Sequence, residues 1–233
     1  MKIYTYHNDV GFPLQDELIK LWSRSWSKWG FEPIVLNLHN AESHPYFKEF
    51  FKQIVGIHNN IMPNVPPKSI GYNISCHMRW LAYASKIDNE YCLFSDYDVI
   101  NINLDSTNAI IDGLKTNNIH FLDSCCPCIA LGKTGFCEQF CKDIINLSLQ
   151  NIRDKDVSTE SYHDQSFIVH NKQTLKNKYK FSKDNELWKH IKHFSHHSMS
   201  AETKKIRKNN PKLNYHQVVN NIRVKQITKE LGL

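Results

Sequence analysis

Two aspartates separated by one residue, Asp96 and Asp98, follow directly on the apolar run Tyr91-Cys-Leu-Phe94. Carboxylates held that close repel each other unless a cation lies between or near them. Hard oxygen ligands suit Mg²⁺ or Mn²⁺, which keep coordination positions open for phosphate oxygens. The chemistry such a pair supports is the departure of a diphosphate, whose developing charge a bound cation neutralises. Asp-x-Asp is common, however, and a polar strand end with a capping aspartate is the competing reading.

Three other clusters carry chemistry. His190, His193, His196 and His197 lie within eight residues, and a ring nitrogen is a good Mn²⁺ ligand. A zinc site shared with cysteines, or plain surface histidines, would give the same crowding. Ser161-Tyr-His-Asp164-Gln-Ser166 is a polar element ahead of an apolar run, where Ser161 or Asp164 could serve as a helix N-cap. Cys125 and Cys128 have a Cys-x₂-Cys spacing that fits zinc. Cys137 and Cys141, four apart, instead fit one buried helical face, and Cys128 opens an apolar run. Free cysteine is commonly a small buried hydrophobe, so the cysteines read better as core.

The elements that must position these residues follow from hydrophobic period. Ile3-Tyr-Thr-Tyr6 reads as a strand, with a polar loop after it. Leu18, Leu21, Trp22, Trp26 and Trp29 recur at helical spacing before Gly30, and Pro33-Ile-Val-Leu36 is a second strand. Strand, helix and strand with short links form a βαβ unit, the start of a parallel sheet. Tyr46, Phe47, Phe50, Phe51 and Ile54 mark another helix, and the prolines between Asn59 and Ser69 predict a long irregular loop. A helix is expected from Asn73 to Ile87, with Trp80, Tyr83, Ala84 and Ile87 on one face, and then a central strand at Tyr91–Phe94. Further strands are expected at 119–122 and 128–131, and helices at 135–149 and 214–231; 162–169 is a compact element.

Composition sets outer bounds. The chain has 233 residues, 41% hydrophobic and 22% charged, which suits one α/β domain with extensions and leaves wholesale disorder unsupported. Of 29 basic side chains, eight lie in 201–233, against two of the 23 acidic ones, so the rest of the chain is balanced and the +6 charge is local. A basic segment of this kind is either a solvated helix or a docking surface for an anionic neighbour. Seven cysteines, an odd count, without a signal peptide point to a reducing, cytoplasmic setting. No apolar run is long enough for a transmembrane segment.

In chain order these features resemble GT-A glycosyltransferases carrying Asp-x-Asp, particularly small bacterial and viral ones, over about residues 1–200. The resemblance implies an α/β, Rossmann-like nucleotide-diphospho-sugar transferase fold, a mixed central sheet flanked by helices. Residues 1–200 would be the nucleotide-sugar-binding and catalytic domain and 201–233 a basic C-terminal helical extension. It further implies that Tyr6, His7 and Asn8 hold nucleobase and ribose and that Arg79 faces the donor. Asp98 would bind the metal, and Asp96 the ribose, the metal or both. His193-Phe194 resembles the late His-Phe pair that supplies a third ligand. The family continues with a glycine and a lysine where this chain has His196 and Met199, so a phosphate contact would fall to Lys192, Lys204 or Lys205. Asp164 would be the general base of an inverting enzyme or position the sugar in a retaining one, and Cys126, Pro127 and Cys128 would line the acceptor side.

The function implied is transfer of a sugar from a UDP-sugar, with Mn²⁺ or Mg²⁺, to an acceptor that could itself be anionic, such as DNA or a membrane-associated glycan. Two alternatives use the same residues differently: nucleotide-sugar hydrolysis or nucleotidyl transfer at the same metal site, and non-enzymatic nucleic-acid binding through the basic tail. That tail has Tyr215 as its one interleaved aromatic residue, which is poor for base stacking.

Overall fold

A computed structural model describes residues 1–9, 11, 13–64, 67–87, 90–123, 126–156, 162–195 and 198–233, without the side chains of 67–70. The expected βαβ unit is present: β1 (Lys2–Tyr6), α1 (Gln15–Ser27) and β2 (Glu32–Leu36), with β1 and β2 parallel. Gly30, at φ 80°, makes the turn into β2; a side chain there would be strained and would meet the Ser106 hydroxyl at 2.7 Å. Then come α2 (Leu38–Glu42), α3 (Phe47–Ile61), α4 (Pro67–Ala84), β3 (Cys92–Ser95), β4 (Val99–Asn101), α5 (Ala109–Leu114), β5 (His120–Phe121) and β6 (Ile129–Gly132). The chain continues through α6 (Thr134–Arg153), α7 (Asp164–Leu175), β7 (Lys180–Phe181), a 3₁₀ turn at Leu187–Lys189, β8 (Ile191–His193), α8 (Ser200–Asn209) and α9 (Tyr215–Leu231).

The central sheet has six strands in the order β2-β1-β3-β6-β5-β7, parallel on the β1 side and antiparallel around β6. It is a mixed sheet with flanking helices, and β4 and β8 form a separate antiparallel pair. Alternation along each strand divides the core in two. Tyr4, Cys92, Phe94 and Ala130 pack with α3, α4, α6 and α7, whereas Ile3, Leu93, Ile129 and Leu131 pack with α1, β4 and α9. Burial on both faces explains the unbroken apolar run of β3.

Two expectations fail. The irregular loop from 59 to 69 shrinks, because α3 runs to Ile61 and α4 starts at Pro67. Proline is tolerated in a first helical turn, where its missing N–H costs no bond. The helix ends at Ala84 rather than Ile87, which is 99% exposed. Among the described residues, no helix is long and apolar enough to cross a membrane.

Candidate metal centre

β3 ends at Ser95 and the chain turns at once, with Val99 N–H donating to the Asp96 carbonyl at 3.1 Å. Beyond that turn β4 leaves the main sheet and pairs with β8, Val99 standing opposite His193. Asp96, Tyr97 and Asp98 therefore sit where the chain changes sheets, beyond the carboxyl end of a central strand, the usual crevice for ligands in open α/β sheets. Helix α1 fixes both ends of this turn. Trp22 Nε1 donates to Ser95 Oγ at 2.9 Å, and Trp26 Nε1 donates to the Val99 carbonyl at 3.0 Å. Residues four apart share one helix face, so the tryptophan spacing that predicts a core helix also places two indole N–H groups on the residues that flank the aspartate turn, Ser95 and Val99.

The β4–β8 pairing brings His193 to the turn. Phe194 N–H donates to the Asp98 carbonyl at 2.8 Å. One ligand atom from each of Asp96, Asp98 and His193 lies within 4.8 Å of the others. These three form the one such group among the described residues. Asp98 Oδ1 is buried and no hydrogen bond reaches it; His193 Nε2, its ion-pair partner, stands 3.4 Å away. Two carboxylates and an imidazole, one of the carboxylate oxygens buried and reached by no hydrogen bond from a described residue, suit a small hard divalent cation, Mg²⁺ or Mn²⁺.

Two guanidiniums enclose the pair. Arg79 from α4 donates to Asp96 through Nη1 and to Asp164 through Nε and Nη2. Asp164 is the first residue of α7, 2% exposed, and also accepts from Trp80 Nε1 at 2.8 Å. From α9, Arg223 Nη2 donates to Asp98 Oδ2 at 2.6 Å and Nε to the Phe194 carbonyl at 2.8 Å. Burial opposes ionisation of Asp98, but Arg223 and His193 overcome it and hold its carboxyl at about 2. Burial, offset in part by Arg79 and reinforced by the Asp98 charge, raises Asp96. Burial works against the His193 cation too, and Asp98 reverses it, raising the imidazole to about 9.

The β1 residues end beside this turn, since β1 and β3 are parallel neighbours. Tyr6, His7 and Asn8 are half-buried; burial pushes the Tyr6 phenol up to about 12. His7 Nε2 is buried without a hydrogen-bond partner, and its ring meets Tyr97 edge-on at 6.3 Å. The Tyr97 hydroxyl accepts from Gln15 at 2.9 Å.

Other residues singled out in the sequence lie elsewhere. His190 bonds to Asn103 at 2.7 Å, and His196 and His197 are outside the described residues. Lys192 is next to His193 on β8 and so points to the opposite side; it pairs with Glu230 at 2.8 Å. Lys204 and Lys205 are exposed on α8. Cys128, Cys137 and Cys141 are core side chains, and Cys126 is half-buried. Cys125 and Ser161 lie outside the described residues, and the helix cap before Asp164 is His163. Arg223 is the site residue that sequence reasoning missed, having been counted among the tail's solvated cations. Its signal was scarcity: only five of the 29 cationic side chains are arginine, and this one interrupts an apolar helical stretch.

No known protein family matches the sequence, and no curated protein is similar to it. Among solved structures, the galactosyltransferase LgtC in complex with donor and acceptor sugar analogs matches 73% of this chain and 70% of its own. The identity is 11% and the TM-score 0.36. A likeness this distant assigns no residue a role.

Proposed function

We propose that this protein is a divalent-metal-dependent glycosyltransferase of the GT-A type, using a nucleotide-diphosphate sugar, in the first instance a UDP-sugar. The observation that carries the reading is the convergence of one ligand atom each from Asp96, Asp98 and His193 within 4.8 Å at the end of β3, where no hydrogen bond from a described residue reaches the buried Asp98 Oδ1. Asp98 and His193 would hold Mg²⁺ or Mn²⁺, with Asp96 as third ligand or ribose acceptor. When bound, the cation supplies neutralisation of the diphosphate leaving group.

The remaining roles belong to the chain itself. Tyr6, His7 and Asn8 receive the nucleoside at the end of β1. Arg79, fixed between Asp96 and Asp164, presents a guanidinium whose planar fork suits phosphate. Asp164, buried beneath three donors from Arg79 and Trp80, is assigned to hold Arg79 in place rather than to take a proton from the acceptor. Residues 1–200 form the catalytic unit in this reading, completed by the helices of 201–233. The exposed Lys204, Lys205, Lys208 and Lys212 suit an anionic acceptor or surface.

The test is binding and turnover of UDP-sugars with Mn²⁺ by the intact chain and by Asp98→Asn. Metal-dependent binding lost in the variant supports the reading; binding and turnover both intact in the variant would overturn it. Free sugar without an acceptor product would reassign the site to hydrolysis, and pyrophosphate release to nucleotidyl transfer. Salt-sensitive binding of random DNA, with no affinity for any nucleotide sugar, would favour the non-enzymatic alternative.

A further inference from the structure

Arg223 stands apart from the other C-terminal cations. It is 9% exposed, and each donor of its guanidinium that has a partner serves a different element. Nη2 donates to Asp98 Oδ2 at 2.6 Å, Nε to the Phe194 carbonyl at 2.8 Å, and Nη1 to Asn220 Oδ1 at 3.3 Å. Phe194 follows His193 and bonds through its N–H to the Asp98 carbonyl. One planar group therefore spans the carboxylate of one candidate ligand and the backbone next to the other. Asn220, one turn earlier on α9, donates to the Pro13 carbonyl at 2.7 Å in the segment between β1 and α1. Helix α9 thus touches the metal turn and the chain leading out of the nucleoside strand.

We propose that Arg223 is a positioning residue for the metal centre: it pins Asp98 through Oδ2, so that Oδ1 faces Asp96 and His193 as the coordinating oxygen. The inference rests on the metal-site reading above and makes 201–233 part of the site. A fork geometry is needed, because the three donors of a Lys ammonium sit on one nitrogen and do not present two separate edges to a carboxylate and a carbonyl. The alternative is that Arg223 only neutralises Asp98, a cation competing with the metal. The two differ in sign. Removing a competing positive charge tightens metal binding, whereas removing an outer-shell support of a ligand weakens it, typically by about 10–100-fold.

The experiment measures Mn²⁺ binding to the full chain by calorimetry and by electron paramagnetic resonance of free Mn²⁺, with thermal unfolding of each variant recorded alongside. Arg223→Met is expected to weaken Mn²⁺ about 10–100-fold, and Arg223→Lys to weaken it less, showing that charge alone does not restore the site. Ile227→Ala, which loosens the same helix by truncating a buried core side chain one turn beyond Arg223, is expected to lower the unfolding temperature and leave Mn²⁺ affinity near that of the unaltered chain. Equal or tighter binding by Arg223→Met overturns the proposal, as does an equal loss in Ile227→Ala. If Arg223→Met does not fold, Arg223→Lys decides: weaker Mn²⁺ binding supports the proposal and unchanged binding overturns it. No Mn²⁺ binding by the unaltered chain overturns the metal-site reading itself, and this inference with it.

Discussion

Replacing Asp164 separates an anchor for Arg79 from a proton acceptor. In the structure its carboxylate is 2% exposed, and Oδ2 accepts from Arg79 and from Trp80 Nε1. Asp164→Ala leaves the Arg79 guanidinium, whose side chain is 11% exposed, with Asp96 as its remaining charge partner. Breaking a buried ion pair from one side costs roughly 3–5 kcal/mol. The retained contact with Asp96, itself a third exposed, pulls the value toward the lower end, while the stranded Trp80 N–H adds about 1–3 kcal/mol. A loss of about 3–5 kcal/mol at this chain length lowers the unfolding temperature by roughly 6–20 °C. Asp164→Asn keeps an oxygen for both donors but no charge, so its loss should be smaller, near 2 kcal/mol. Urea and thermal unfolding, run beside UDP-sugar turnover, give both readouts. An anchor predicts that stability and turnover fall together and that the asparagine variant retains part of each. An asparagine variant as stable as the original chain but without turnover would refute the assignment and make Asp164 the base.

Two further perturbations probe the supports of the site. His77 is fully buried on α4, tilted against the Tyr162 ring at 4.8 Å with neither ring nitrogen hydrogen-bonded among the described residues, and burial drives its pKa down to about 3. Its folded value lies below the usual 6.5, so from pH 6.5 down toward 3 the unfolded chain binds a proton that the folded one refuses, and stability falls with acid. His77→Phe should remove that contribution, so the variant should gain about 2 kcal/mol on the original chain between pH 7 and pH 5 in urea titrations; a pH-independent difference would contradict it. Trp26→Phe deletes the N–H that holds the Val99 carbonyl and should cost about 1–3 kcal/mol while weakening Mn²⁺ binding. Unchanged metal affinity would show that the Asp96–Asp98 turn keeps its shape without α1.

Much of this architecture was legible because it is local. The tryptophans that mark α1 and the apolar run before Asp96 are signals within one segment; β1, β2 and β3 fall within a residue of the expected runs, while α1 starts at Gln15, ahead of Leu18, and ends at Ser27, short of Trp29. The β4–β8 pair was not visible, because three-residue strands carry almost no period and their pairing joins residues some ninety positions apart. His193 was singled out by crowding, which could not rank it above His190. Only register does so, by setting His193 opposite Val99 and turning Lys192 to the other side. Arg223 was hidden for the same reason, lying 125 positions from the carboxylate it holds.

The first step from sequence to chemistry also changes. The Asp-x-Asp spacing predicts a cation between or near the two carboxylates, yet the folded chain already supplies two: Arg79 for Asp96 and Arg223 for Asp98. Repulsion within the pair is therefore no argument for a metal. Counting Asp164, three carboxylates face two guanidiniums, and His193, which Asp98 holds toward its charged form, closes the balance. The two aspartates thus have cationic partners of their own, and an ion is not needed to offset their charge. What points to a metal is more specific than charge. Arg79 pairs with Asp96 Oδ1 and Arg223 with Asp98 Oδ2, which leaves the buried Asp98 Oδ1 to His193 Nε2 at 3.4 Å, with no hydrogen bond to it among the described residues. The imidazole stands at the long end of hydrogen-bonding distance, and a cation between these ligands would meet that oxygen more closely.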